Sequence, residues 1–311
     1  MTATSSFDGA VPLSHLGLLR ARGADAAKFL HGQLTSDFSI LGSSQVRLAG
    51  FCSAKGRLQA SFIAWKLGPD ELLLACAASV LPATLKRLSM FVLRAQCKLT
   101  DATAEVRLTG FVGPSARALM DDAAPRTLVH RDAATVMRLP DAAGLARCIV
   151  AAPAEAAVAT APPLALDTWR WLEVQSGVAT IEAATVDQFV PQMLNLELVG
   201  GVDFQKGCYP GQEIVARSQY RGTLKRRMFL FDVDAIAAPG QEVFHSSDPA
   251  QPAGMVANAA PKPAGGGSSA LVEVKLATLG EGSLHLGAPD GPVLERTELP
   301  YAVPIEAAAS T

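Results

Sequence analysis

The sequence predicts an α+β fold closed at its C-terminal end by a small β-barrel. Two observations carry this. Up to about residue 151, paired strand-like segments alternate with short helical ones, the pattern of antiparallel sheets layered against helices. From about residue 223 onward the chain is almost wholly short strands and turns, which suits a barrel over roughly 223–305. At 311 residues the chain exceeds the common single-domain size, so it is expected to divide, with 1–222 as one region and 223–311 as the other.

Taken in order, Asp25 stands where it can cap a short helix over AAKFLH, and Gly32 where it can end it. VRLAGFC and RLQASFIAWKL read as strands joined through the SAKG turn, and LGPDE leads into a third, LLLAC. In LPATLKRLSMFVLRAQ, Leu81, Leu85, Leu88 and Val92 recur at helical spacing. SARALMDD reads as a further helix, and the Ala/Pro-rich stretch 152–166 as a loop or irregular connection. Asp167 is placed to cap TWRWLEVQS, with Gly177 as its C′ residue. A helix containing QEIVARSQY opens at Pro210 or Gly211, and Gly222 closes it. RRMFLFDV, QEVFH, GMVANA, ALVEVKL and PVLERTEL supply the barrel strands, with PKPAGGGSS as a hairpin-type loop.

Composition narrows the function classes. Hydrophobic residues at 49% and charged residues at 18% describe a globular chain with ample core. A formal net charge of -2 gives no general attraction to nucleic acid or anionic membrane. The mean hydropathy of +0.24 is high, yet Pro153, Glu155, Pro162 and Pro163 break the Ala-rich stretch, so it cannot span a bilayer. MTATSSFDGAVPLSH has neither a basic start nor an apolar core, so a cytoplasmic location is expected. Five cysteines, at 52, 76, 97, 148 and 208, are scattered and never spaced C-x-x-C. Reduced thiols are expected, with no disulfide framework and no metal site. The phosphate-loop, dinucleotide, zincin and nucleophile-elbow signatures are all absent.

One stretch stands apart. In KGCYPGQE (206–213), Cys208 sits on a tight turn just before a helix start, with Lys206 beside it. Unpaired N–H groups, the helix dipole and a lysine all favour thiolate over thiol. The bland alternative is a small buried residue near a bend. Arg217, Arg221, Lys225, Arg226 and Arg227 follow as a local basic run. It reads either as a solvated helix end or as a set of forks for carboxylates or phosphates of a ligand. Tyr220 alone offers aromatic stacking, so RNA binding is a third, thinner reading.

Three segments carry a resemblance: GADAAKFLHGQLTSD at 23–37, FCSAKGRL at 51–58 and FVPQMLNLELVGGVDFQKGCYPGQE at 189–213. Together they resemble the YgfZ-type folate-binding proteins, relatives of the glycine-cleavage T-protein. The resemblance implies a ring of two interleaved α+β subdomains plus a β-barrel around a channel for tetrahydrofolate or another reduced folate. It also implies a role in assembly or repair of iron–sulfur proteins, including tRNA-thiolating enzymes, with assembly or client proteins as partners. Folate-dependent aminomethyl transfer of the T-protein type is the alternative; CYPGQE, where T-proteins carry an aromatic-aliphatic-Gly stretch, disfavours it.

The resemblance assigns Cys208 as the reactive residue and Trp169 as a folate contact, although a core position beside Leu172 suits Trp169 equally. Leu16 stands where the family places a second folate tryptophan, a departure. Gln192, Asn195, Gln212 and Glu213 are candidates for the pterin edge or for fixing the Cys208 turn; capping suits Gln212 and Glu213 as well. Lys55 is a hairpin tip or a charge for the folate glutamate tail, and Lys206, Arg217 and Arg221 complete the candidate folate-binding set. Cys52 matches the family's C-x-x-K-G cysteine but reads as structural. One exposed cysteine cannot supply the usual four thiolates of a cluster.

Overall fold

The computed structural model describes residues 7–120, 123–220 and 224–304. Its first two strands part at once. β1 (Gly9–Pro12) joins a sheet built mostly from residues beyond 105, whereas β2 (Leu16–Arg22) joins one completed by residue 101. The latter also holds β3 (Val46–Cys52), β4 (Leu58–Gly68), β5 (Glu71–Ala77) and β6 (Lys98–Asp101), in the order β3-β4-β5-β2-β6. The strand β5 shows why the run LLLAC is uniformly apolar. Leu72, Leu74 and Cys76 face one core, Leu73 and Ala75 face another, and a strand covered on both sides needs apolar residues at every position.

Helix α1 (Ala26–His31) has the predicted bounds, but its predicted cap works elsewhere. Asp25 makes no side-chain bond to the helix; its carboxylate accepts the Gln96 backbone N–H at 2.8 Å, tying α1 to the chain ahead of β6. Helix α2 (Leu81–Ser89) stops a turn before the apolar spacing does. Phe91 N–H bonds Leu88 O and Val92 N–H bonds Ser89 O, three residues back, tightening the chain out of α-helix. Val92 and Ala95 then still reach the core, whereas Met90 and Leu93 are exposed.

The other sheet runs β1-β7-β10-β9-β8, with β7 at Val106–Val112, β8 at Leu128–Arg131, β9 at Ala134–Ala142 and β10 at Leu145–Pro153. Helix α3 (Pro114–Met120) covers one face through Ala116 and Met120. Helix α4 (Leu166–Gln175) drives Trp169 and Leu172 into the core between the two sheets. Ala165, not Asp167, holds its N-cap position, and Gly177 follows its end at φ +67° as the spacing predicts. After a 3-10 turn at Pro191–Leu194 and helix α5 (Gln212–Tyr220), the predicted boundary at 222/223 and Gly222 lie outside the described residues.

The barrel closes as β11-β14-β13-β12-β15-β16. Its strands are β11 (Arg226–Val233), β12 (Glu242–His245), β13 (Asp248–Pro261), β14 (Ser268–Lys275), β15 (Leu284–Leu286) and β16 (Val293–Thr297). Alternation along β11 sends Phe229, Phe231 and Val233 inward, and Met228 and Leu230 outward against the 190s segment. Thus two α+β units and a barrel stand together, as predicted.

Candidate functional site

Between the two sheets and α4 lies a narrow, half-open cleft. Its walls are Leu16, Val46 and Ile63 from the first sheet, Arg138 and Arg147 from the second, and Glu173 from α4. Past Glu173, Val178 and Thr180 a second cleft opens among His15, Ser79, Arg170 and the barrel residue Asn258. The two share those three residues, so the clefts adjoin across Glu173, Val178 and Thr180, one lined from the sheets and the other partly from the barrel.

Arg147 and Glu173 give the first cleft its chemistry. Arg147 is only 2% exposed; Nε and Nη2 donate to Pro140 O at 3.3 and 3.2 Å, while Nη1 has no partner among the described residues. Burial lowers its guanidinium to about 10, against the pull of Glu173. Glu173 Oε1 accepts the Trp169 indole N–H at 2.8 Å, and Oε2 pairs with His15 Nε2 at 3.0 Å. Trp169 itself is fully buried, with the Arg147 guanidinium 5.5 Å from its ring. Gly110 makes room for it, since a Cβ there would stand 2.5 Å from the indole Cζ3. Trp169 therefore sits behind the cleft and reaches it through Glu173, whereas Leu16 lines it directly. Neither Arg147 nor Glu173 was singled out by sequence reasoning. The available signal for Arg147 is a lone charge inside the otherwise apolar strand LARCIVAAP.

A second assembly joins the three family-like segments. Lys206, 7% exposed, donates to the carbonyls of His31 and, at 2.8 Å, Leu34, and its ammonium lies 4.7 Å from the Tyr209 ring centre. Burial lowers it to about 8, opposed by Asp37, Asp203 and Cys208. Gly211 packs on the SAKG turn: a Cβ there would lie 2.4 Å from Ser53 O and 2.7 Å from Gly56 Cα. These contacts set Cys208 on a braced turn at the surface. Cys208 is exposed, whereas burial pushes Cys52, Cys76 and Cys148 up to about 12 and Cys97 to about 11.

The remaining candidates take varied places. Gln192 and Asn195 are fully buried braces, bonding Val215 O at 2.7 Å and Met228 O at 2.8 Å, and neither lines the cleft. Gln212 and Glu213 begin α5, Glu213 pairing with Arg217 at 3.0 Å on an exposed face. Lys55 is an exposed hairpin tip, and Arg221 lies outside the described residues. The basic run is largely spent within the fold: Arg227 pairs with Glu197, both buried, and Arg226 with Glu273 at 2.7 Å. Burial raises both carboxyls above their ordinary range, against the opposing pull of the arginines.

Residues 2–152 match the GCVT N-terminal domain family. The chain is 33% identical over 225 residues to the tRNA-modifying protein YgfZ of Edwardsiella ictaluri (strain 93-146), covering 68% of this chain and 67% of the relative. It is 32% identical over 241 residues to the tRNA-modifying protein YgfZ of Escherichia coli O157:H7 (strain EC4115 / EHEC), covering 73% and 72%. The aminomethyltransferase T of the Bartonella henselae glycine cleavage system superposes over 96% of this chain and 87% of its own. Its TM-score is 0.73 at 17% identity, a likeness of fold. With its three motifs, its paired sheets and its barrel, the chain belongs to the YgfZ family and is built on the T-protein fold.

Proposed function

We propose that this protein binds a reduced folate, with tetrahydrofolate the first choice, in the cleft beside Glu173. On this reading it serves as an accessory factor for assembly or repair of iron–sulfur proteins, with Cys208 as its reactive thiol. The carrying observation is the cleft itself: apolar walls, one buried guanidinium with an unpartnered N–H and one carboxylate. That set fits a pterin, whose flat ring suits apolar walls and whose amide and amino edge offers an acceptor and donors. Arg147 would donate to the carbonyl and Glu173 accept from the amino side, with Arg126 and Arg138 at hand for the glutamate carboxylates. Bound, the folate would supply carriage of one-carbon units. Trp169, hydrogen-bonded to Glu173, would hold that carboxylate in place. The iron–sulfur role rests on the family resemblance, and the relatives' name as tRNA-modifying proteins fits clients that modify tRNA.

Titration of the full chain with tetrahydrofolate tests the reading, following tryptophan fluorescence with Trp169→Phe as control. Saturable quenching, lost in the control, is expected. Absence of binding by calorimetry overturns the folate assignment. Steady methylene-tetrahydrofolate formation from an aminomethylated carrier protein would replace the accessory role by aminomethyl transfer.

A further inference from the structure

From Leu72 to Thr100 the chain carries four cations, Lys86, Arg87, Arg94 and Lys98, and no acid. All four are exposed, and apolar surface stands between them. The tightened exit from α2 turns Val92 and Ala95 onto the core and leaves Met90, Phe91 and Leu93 outside it. Met90 is 60% exposed, and Leu93, at 85%, is the most exposed large apolar side chain among the described residues. One such residue is ordinary on a surface, but three within four positions mark a contact face. The acids that border the segment are already engaged. Asp25 accepts the Gln96 N–H at 2.8 Å, and Asp101 accepts the Thr103 N–H at 2.8 Å. Glu71 is held by Arg20 at 2.9 Å and by Arg22 at 2.8 Å.

The chemistry of the face selects what it meets. Single-stranded RNA needs open aromatic faces, yet the Arg87 guanidinium lies 5.3 Å from the centre of the Phe91 ring, and Met90 and Leu93 cannot stack. Neither cleft between the sheets and the barrel reaches these side chains, so they stand as knobs without a groove to seat a peptide. Aliphatic knobs set among unopposed cations suit the boundary of an anionic bilayer. There the apolar groups find the acyl layer, and the long basic side chains reach headgroup phosphates. We infer that the loop after α2 is a peripheral anchor for an anionic lipid surface, entered by Met90, Phe91 and Leu93 and held by Lys86, Arg87, Arg94 and Lys98. No helix among the described residues is long and apolar enough to cross a bilayer, and this contact needs none. With a net charge of -2, the chain as a whole gains nothing from an anionic surface, so the attraction is confined to this face.

The full chain, without folate, is sedimented with vesicles of phosphatidylcholine alone and of phosphatidylcholine and phosphatidylglycerol in equal parts. Binding to the mixed vesicles, weakened by salt, is expected, with little to phosphatidylcholine alone. Lys86→Gln and Arg94→Gln should each weaken it about fivefold. Met90→Ser with Leu93→Ser should weaken it about tenfold or more while leaving urea unfolding unchanged, since both side chains face water. Leu93→Trp should add an emission that moves to shorter wavelength on the mixed vesicles, which adsorption by charge alone would not produce. Ile236→Ser, at an exposed apolar residue beyond β11, should bind as wild type does. No binding to the mixed vesicles, or binding that the Met90→Ser, Leu93→Ser variant keeps in full, overturns the assignment. Without vesicle binding, capture of polyuridylate that is lost with the cations gives the face to RNA, and self-association that is lost with Met90 and Leu93 gives it to a second copy of the chain. Either result also overturns the lipid contact.

Discussion

Gly56 and Gly211 meet backbone to backbone, leaving no room for a side chain on either. A Cβ on Gly211 would fall 2.7 Å from Gly56 Cα, and one on Gly56 would fall 2.8 Å from Ile214 Cβ. Both also adopt positive φ, at +70° and +79°. The C-x-x-K-G turn and the K-G-C-Y-P-G-Q-E turn are therefore one object, two loops interlocked through their glycines.

Gly211→Ala tests that interlock. It combines left-handed strain with an overpacked contact, for a loss of about 2–4 kcal/mol in urea unfolding. Cys208 alkylation should change with it, because the turn that presents the thiol must shift. A stability within experimental scatter of wild type would contradict the packing.

The Arg227–Glu197 pair gives a second test. Both side chains are nearly inaccessible, at 4% and 6%. Arg227→Met strands a buried carboxylate and should cost about 3–5 kcal/mol, whereas Arg227→Met with Glu197→Leu should recover most of that loss. Equal losses in the single and double variants would show that the charges do not act as a pair.

Lys206 gives the pH dependence. Burial lowers its folded value from 10.5 to about 8. Between those values the unfolded chain holds a proton that the folded chain has released, so stability rises with pH across the window. Relative to Lys206→Met, wild type should gain about 2–3 kcal/mol over that interval, read from urea midpoints at each pH. Parallel curves for the two proteins would rule this out.

Arg147→Met addresses the cleft. Losing one charge-assisted donor should weaken tetrahydrofolate binding by about tenfold to a hundredfold in calorimetric titrations. Thermal stability should hold or rise, because a buried cation with an unpartnered N–H is replaced by an apolar side chain of similar length. Unchanged affinity would remove Arg147 from the binding surface.

What was legible in the sequence was whatever local pattern decides. The meander β3–β5, helix α1 and helix α5 follow from alternation, helical spacing and turn residues over windows of a few residues. The fates of polar groups were not legible, because their partners lie far along the chain. Asp25 looks like a cap and bonds Gln96 instead. Arg226 and Arg227 look like a free basic run, yet Glu273 and Glu197 neutralise them inside the fold. His15 meets Glu173 across 158 residues, and His31 is carried to the Cys208 turn. Sequence spacing says nothing about such meetings, and these decide the chemistry of both sites.

The parting of the first two strands has a consequence in time. β1 pairs with β7, Gly9 opposite Val112, and the whole of the first sheet lies between them along the chain. At the usual ribosomal pace of about 5–20 residues per second, the leading strand waits roughly 5–20 seconds for its partner to emerge. The sheet in between can be complete before that strand has anything to bind. Of the strands up to β7, β1 is thus the last that can be fastened, a latch closed over the finished first sheet.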